Sequence, residues 1–356
     1  MSEFTCNQEI VGVARRNLTQ DVWDYLTGGA ESEMTMRRNR HAIDSYAFIP
    51  RVLRDMSVVQ PHAITLGQKV RIPVLLAPIG SLQAIHAGGG ASSAKAAARF
   101  GTLPIISSIT EPSLEEIAES TEGAKVFQLY VRGDWEWIKA IIGRVKAAGY
   151  CSLALTVDSA YYGIRERQLM NKWLPPSVRA QKDRHLQAAI TWDLMARIRD
   201  LWKGSFILKG IGSVADATYA VERGVDTLYI SNHGGRQLDH CLGALQTLAE
   251  VAPAVQGRAE LIVDGGFLRG SDVIKAMALG ASSVAIGRLQ GWALAAGGED
   301  GLVRCLELLE REIINALGLL GVNDFSQINA DYVRKTEAIG PTHELSTFYH
   351  LKERLT

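Results

Sequence analysis

SFILKGIGSVADATYAVERGVDTLYISN, residues 205–232, holds two short apolar runs with a helix-like stretch between them. SFILKG (205–210) and TLYISN (227–232) are apolar without strict alternation, as strands covered on both faces are. VADATYAVERG separates them at helical spacing and ends in glycine, a common helix stop. The segment predicts a strand–helix–strand unit with its two strands parallel.

The unit repeats in both directions. Upstream lie IPVLLAP (72–78), LPIISS (103–108), KVFQLYV (125–131) and SLALTVD (152–158); downstream lie LIVDGG (261–266) and SVAIGR (283–288). Amphipathic stretches such as WEWIKAIIGRVKAAG, WDLMARIRDLWKG and GSDVIKAMALG fall between them. Eight such runs predict a closed (β/α)8 TIM barrel over about 71–325. An open doubly wound sheet is the alternative. Residues 1–70 read as an N-terminal helical extension with a short hairpin. Residues 171–190 read as a polar loop over the barrel mouth, and about 330–356 as an extended surface tail. The whole of 1–356 reads as one domain.

Composition narrows the classes of function. With 38 basic against 38 acidic residues and no basic stripe, nucleic acid is not the expected partner. MSEFTCNQEIVGVARR lacks the pattern of a signal peptide, and no run of roughly 18 apolar residues suggests a membrane span. Cys6, Cys151, Cys241 and Cys305 form no CxxC pair, so neither zinc nor a disulfide framework is expected. The expectation is a soluble cytoplasmic protein without a metal.

Polar residues collect where the runs end, which in a barrel is the catalytic mouth. In chain order they are Ala77-Pro78-Ile79-Gly80, Ser107, Gln128 with Tyr130, Thr156 with Asp158, Lys209, Ser231 with His233 and Arg236, Asp264 with Gly266, and Gly287 with Arg288. Each buried polar group without a partner would cost roughly 1–3 kcal/mol, so a polar ligand in the mouth is the simpler account. The glycine-rich DGG and GR ends suit a phosphate. Lys209 suits either a Schiff base or a cation beside a cofactor that becomes anionic.

SNHGGRQ (231–237) resembles the signature of the FMN-dependent α-hydroxy acid oxidases and dehydrogenases, the group of glycolate oxidase, lactate oxidase and mandelate dehydrogenase. VWDYLTGGAE (22–31), LLAPIG (75–80), FQLYV (127–131), LTVD (155–158), LKG (208–210), VDGG (263–266) and IGR (286–288) follow in the same order. The resemblance implies FMN as cofactor and a small (S)-2-hydroxy acid as substrate, oxidised to the keto acid with O2 or another acceptor taking the electrons. It implies His233 as the base and Asp158 as the partner of its imidazolium. Arg236 and Arg165 would clamp the carboxylate, with Tyr25 beside it and Tyr130 near the hydroxyl. Ala77, Pro78, Ile79, Gly80, Ser107, Gln128, Thr156, Lys209 and Ser231 would line the flavin ring. Asp264, Gly266, Gly287 and Arg288 would hold its ribityl chain and phosphate. A homo-oligomer, a tetramer, is implied in the same way.

The chain also departs from the family's pattern. Leu268 stands where many members carry arginine, so either one phosphate-side charge is missing or Arg269 partly compensates. HAGGG (86–90) replaces a more polar segment. Ile109, Tyr161 and Tyr162 reshape the substrate wall and imply an acid larger than glycolate, mandelate-like or aliphatic. Gly80 leans toward an acceptor other than O2. Three rival readings stay open: a non-redox FMN isomerase, a Lys209 Schiff-base lyase and an inactive scaffold.

Overall fold

The computed structural model describes residues 4–179 and 185–351. All eight apolar runs form strands, each shorter than its run or close to it: β1 (Val74–Leu76), β2 (Ile105–Ser107), β3 (Val126–Leu129), β4 (Ser152–Thr156), β5 (Ser205–Ile211), β6 (Thr227–Ile230), β7 (Glu260–Val263) and β8 (Ser283–Ile286). Each pairs in parallel with its successor from β2 to β8, and β8 returns to β1. The seam between β1 and β2 is held by a single bridge, Leu76 with Pro104. There Leu76 N–H donates to Leu103 O at 3.0 Å, and the Thr102 hydroxyl donates to Val74 O. The sheet is thus a nearly closed (β/α)8 barrel, not an open doubly wound sheet.

Side-chain alternation fills the barrel. Leu75, Ile105, Val126, Ala154, Ile207, Tyr229, Ile262 and Ala285, one from each strand, make a buried inner layer. Leu66 and Val70, from the hairpin Ala63–Thr65/Gln68–Val70, join this layer. A larger apolar cluster lies between the strands and the helices around them.

The N-terminal extension comprises α1 (Asn7–Asn17), α2 (Gln20–Thr27) and α3 (Met34–Asp44). Between strands run α4 (Gly89–Phe100), α5 (Leu114–Glu119) and α6 (Trp135–Ala147). The loop after β4 carries three short helices, α7 (Glu166–Met170), α8 (Pro176–Arg179) and α9 (His185–Ala188), before α10 (Trp192–Leu201). The part of the 171–190 loop at 180–184 lies outside the described residues. The remaining helices are α11 (Val214–Glu222), α12 (Ala244–Val255), α13 (Gly270–Ala278) and α14 (Arg288–Leu320), the last kinked at Gly297–Gly298. Helix starts carry their own signals: Ser113 and Glu116 close a reciprocal capping box at α5, and Asp134, Thr191 and Ser213 cap α6, α10 and α11. Among the described residues no helix is long and apolar enough to cross a membrane.

The tail differs from the sequence expectation of an extended surface segment. Val333–Lys335 pairs antiparallel with Tyr46–Phe48, and Phe348 and Leu351 are buried. Two large apolar side chains near the end anchor a segment whose polarity alone suggested solvent.

Candidate active site

A step of two residues builds the site. Successive side chains on a strand face opposite ways, so residues two apart share a face. Two places beyond the inner layer stand Ala77, Ser107, Gln128, Thr156, Lys209, Ser231, Asp264 and Gly287, one per strand. They form the polar layer at the mouth. Ser107 donates to Gln128 Oε1 at 2.8 Å, and Gln128 Nε2 donates to Thr156 Oγ1 at 2.8 Å. Lys209 Nζ donates to Ser231 Oγ at 3.1 Å and lies 4.0 Å from Asp264 Oδ2. Beneath it, the Tyr229 ring centroid is 5.0 Å from the ammonium.

His233 follows β6 in a left-handed turn. His233, Gly234 and Gly235 all have positive φ. Gly235 cannot be replaced cheaply, because a Cβ there would lie 2.5 Å from Met36 N. The turn aims the imidazole at Asp158, whose carboxylate oxygens are 3.1 and 3.2 Å from Nδ1. An ionised carboxylate only accepts, so Nδ1 carries the proton and Nε2 keeps its lone pair. Nε2 lies 3.2 Å from the Tyr130 hydroxyl. Burial, aided by the Lys209 and Arg165 charges, pulls His233 below its ordinary value against the opposing pull of Asp158. Burial would raise Asp158, yet His233 and Lys209 hold its carboxyl below the usual range. The imidazole is neutral at pH 7 and able to accept a proton. Bare Gly210 lets Asp158 sit this close, since a Cβ there would be 2.6 Å from the Asp158 Cβ.

Two guanidinium groups flank the imidazole. Arg165 donates to Tyr162 Oη at 2.6 Å, Gln237 Oε1 at 3.3 Å and Arg236 O at 3.2 Å. Arg236 donates to Gly28 O at 2.8 Å. Burial and the neighbouring charges of Arg165 and Arg288 push Arg236 down to about 9. Two cations held together in a dry pocket destabilise each other, and an anion between them relieves that cost. Tyr25 lies beside Arg236, 5.2 Å from ring centroid to guanidinium, and donates its phenolic proton to Gly80 O at 2.5 Å. Arg288 is turned toward this end, donating to Thr27 O, Gly28 O and Gly234 O, each at 2.9 Å.

One cavity brings together Tyr25, Ala77, Pro78, Ile79, Gly80, Ile109, Tyr130, Tyr162, Arg165, Lys209, His233, Arg236, Asp264, Gly266, Gly287 and Arg288. Asp158 and Ser231 stand behind it, holding His233 and Lys209, while Ser107, Gln128 and Thr156 form their own linked polar chain. Asp264 Oδ1 is buried without a partner among the described residues. A buried carboxylate oxygen left as a free acceptor suits a ligand hydroxyl. Lys209 and Asp264 line the cavity beside the Ala77–Gly80 backbone, and this set fits a cofactor with a polar ring edge and a polyol tail; Ser107, Gln128 and Thr156, buried and bonded to one another, do not line it. Arg269 does not take the place left by Leu268: its guanidinium pairs with Glu312 at 2.8 Å, away from the cavity.

Sequence reading missed several lining residues. Met36 and Asn39 come from α3, Ser177 from α8 and Glu344 from the C-terminal tail. Asn39 exchanges amide hydrogen bonds with Asn232 at 2.9 and 2.7 Å, tying the extension to the His233 turn. Gln237, the last residue of SNHGGRQ, also lines the cavity and carries a local signal; the others carry none.

The pattern of the FMN-dependent dehydrogenase family matches residues 14–185 and 176–335. The chain is 36% identical over 348 residues to an L-lactate oxidase of Nostoc sp., covering 90% of this chain and 95% of that protein. It is 32% identical over 353 residues to the glycolate oxidase of Spinacia oleracea, covering 93% and 96%. Among solved structures, mandelate oxidase with (S)-2-phenylpropionate aligns with a TM-score of 0.87 at 34% identity, covering 95% of this chain and 100% of that one. A soluble mutant of the membrane-associated (S)-mandelate dehydrogenase from Pseudomonas putida aligns with 0.88 at 32%, covering 94% and 100%.

Proposed function

Because the chain belongs to the FMN-dependent dehydrogenase family, whose relatives here are FMN-dependent (S)-2-hydroxy acid oxidases and dehydrogenases, we propose that it oxidises an (S)-2-hydroxy acid larger than glycolate to the 2-keto acid. Bound FMN supplies the two-electron acceptor. His233 Nε2 takes a proton from the substrate, at the α-carbon or the hydroxyl, and Asp158 holds the resulting imidazolium. Arg165 and Arg236 receive the carboxylate, for which the guanidinium fork is suited. Tyr130 Oη, already at His233 Nε2, orients the substrate hydroxyl. Ile109 lines the pocket as an apolar wall, which supports an aromatic or branched aliphatic acid, while Tyr162, whose hydroxyl accepts from Arg165, lies at the carboxylate clamp.

The observation that carries this reading is the Asp158–His233–Tyr130 line with two guanidinium groups beside it. It weighs against an isomerase or an inactive scaffold. Lys209 Nζ is tied to Ser231 Oγ and lies 4.0 Å from Asp264 Oδ2, an anchored position that weighs against a free Schiff-base amine. The test is anaerobic mixing of the yellow protein with a panel of 2-hydroxy acids, followed by air or an added oxidant. Mandelate-like and branched acids bleach the flavin faster than glycolate, and the return step separates O2 from another acceptor. His233→Ala keeps flavin without bleaching; unchanged bleaching removes His233 from the chemistry. Arg236→Lys raises KM, because the fork is lost; an unchanged KM removes it from the clamp. A homotetramer rests on the resemblance alone, and light scattering of the eluted protein reads the number of chains.

A further inference from the structure

The barrel interior holds one polar group that the proposed chemistry does not use. Of the eight inner-layer side chains seven are aliphatic, and the eighth is Tyr229, fully buried. Leucine or isoleucine would fill such a layer without burying a hydroxyl, and a buried hydroxyl without a partner is costly. Ala154 and Ala285 in the same layer are small and offset the volume of the phenol. We infer that Tyr229 is a positioning residue for the flavin site: its ring seats the Lys209 side chain and its hydroxyl holds the Asp264 carboxylate, so that both face the cavity. The inference rests on the proposed flavin site.

Strand register puts Tyr229 between the two groups. Its strand, β6, lies between β5 and β7. Tyr229 pairs with Lys209 on one side and with Ile262, two places before Asp264, on the other. Lys209 Nζ lies 5.0 Å from the Tyr229 ring centroid, within the range of a cation–π contact. Tyr229 Oη and Asp264 Oδ1 are both buried with no hydrogen-bond partner among the described residues. Burial and the neighbouring Asp264 charge push the phenol well above its ordinary value, so it keeps its proton as a donor. One orphan is a donor and the other an acceptor. A bond between them satisfies both and leaves Oδ1 a second lone pair for a ligand hydroxyl.

Lys209 and Asp264 line the cavity and Tyr229 does not, so Tyr229 acts through them. A lysine side chain has many rotamers, and an aromatic face beneath its ammonium restricts them. A positive charge kept beside the flavin favours the reduced, anionic form over the oxidised one. A cation–π contact in a dry site is worth on the order of tenfold in that preference, which is about 30 mV in a two-electron couple. The hydroxyl bond to a carboxylate is charge-assisted and worth about tenfold in the affinity of the site it orders.

The test compares the wild type with Tyr229→Phe and Tyr229→Leu in two readings: the reduction potential of bound FMN against a redox dye, and the dissociation constant of FMN. Tyr229→Leu lowers the potential by about 30 mV or more, and Tyr229→Phe by less than about half of that, because the ring stays. Both variants weaken FMN by about tenfold, because the hydroxyl is gone. A tyrosine that only packs predicts no change in either reading for Tyr229→Phe. An unchanged potential in folded Tyr229→Leu, an equal shift in the two variants, or an unchanged FMN affinity in Tyr229→Phe overturns the inference. Should Tyr229→Leu fail to fold, the FMN affinity of Tyr229→Phe decides alone. A wild-type protein that binds no FMN is a different result: it overturns the flavin site itself, and the inference with it.

Discussion

Gly80→Ala should be destabilising in this chain, and the reason is Ile109. A Cβ at position 80 would lie 2.7 Å from Ile109 Cδ1 and 2.9 Å from Cγ1, with Ser177 Oγ at 3.7 Å. Carbon atoms rest about 3.5–4.0 Å apart, so the overlap is about 1 Å. Ile109 is β-branched and stiff at χ1. It is only partly buried, however, and its free side faces the cavity. Forced repacking of this kind costs roughly 1–3 kcal/mol, which lowers the melting temperature by roughly 1–4 °C in a chain of this size. Displacing Ile109 into the pocket also raises KM for a bulky hydroxy acid more than for a small one. Ile109→Ala in the same protein removes the clashing atoms, so the double variant recovers roughly 1–2 kcal/mol relative to the sum of the single changes. Thermal melts of the four proteins, with KM for two acids of different size, make the measurement. A Gly80→Ala protein that melts with the wild type, or strictly additive changes, refutes the steric coupling.

Asp158→Asn should keep flavin but lower kcat by roughly 10²–10⁴, because the amide no longer fixes the Nδ1–H tautomer or balances the imidazolium; stopped-flow bleaching reads it. For the wild type, kcat/KM should climb with pH through a value below 6.5 as His233 loses its proton. A profile that is flat across that limb counts against His233 as the base. Asp239 accepts from Ser32 Oγ and Thr35 N at 2.7 Å and from Met34 N at 3.2 Å, joining the His233 loop to the start of α3. Burial would raise its carboxyl, but these bonds hold it well below the usual range. Its stabilisation is therefore present above the unfolded value near ~4 and lost as pH falls through the folded one. Asp239→Ala should cost roughly 1–3 kcal/mol at pH 7 and much less in strong acid, as read from denaturant melts at both pH values.

The barrel was legible because its signal is local. Each apolar run announced a strand, and the residue two places beyond each inner-layer side chain, polar on six of the eight strands, fell at the mouth. His233 and Arg236 were legible for the same reason: one turn carries both. What escaped depends on contacts between distant parts of the chain. Asn39 meets Asn232 across 193 positions, and Arg167 meets Glu344 across 177. Neither partner has a pattern of its own. The commitment of Arg288 to Thr27, Gly28 and Gly234 was hidden too, because an arginine in sequence says nothing about which acceptors its five donors find.

Where the ring of strands meets itself, the weld is thin. Among the described residues a single β-bridge, Leu76 with Pro104, joins β1 to β2 beside the Leu103 and Thr102 bonds, and a proline brings no amide proton to the joint. Amide protons flanking this joint should trade with deuterated solvent sooner than those between β4 and β5, whose ladder runs five residues. Gly80 and Ile109 sit directly above it, on the two segments it joins. The barrel's least cooperative stave thus borders the pocket wall, and drift there widens or narrows the space for an acid's side chain while the opposite staves, bearing Lys209 and His233, stay rigid.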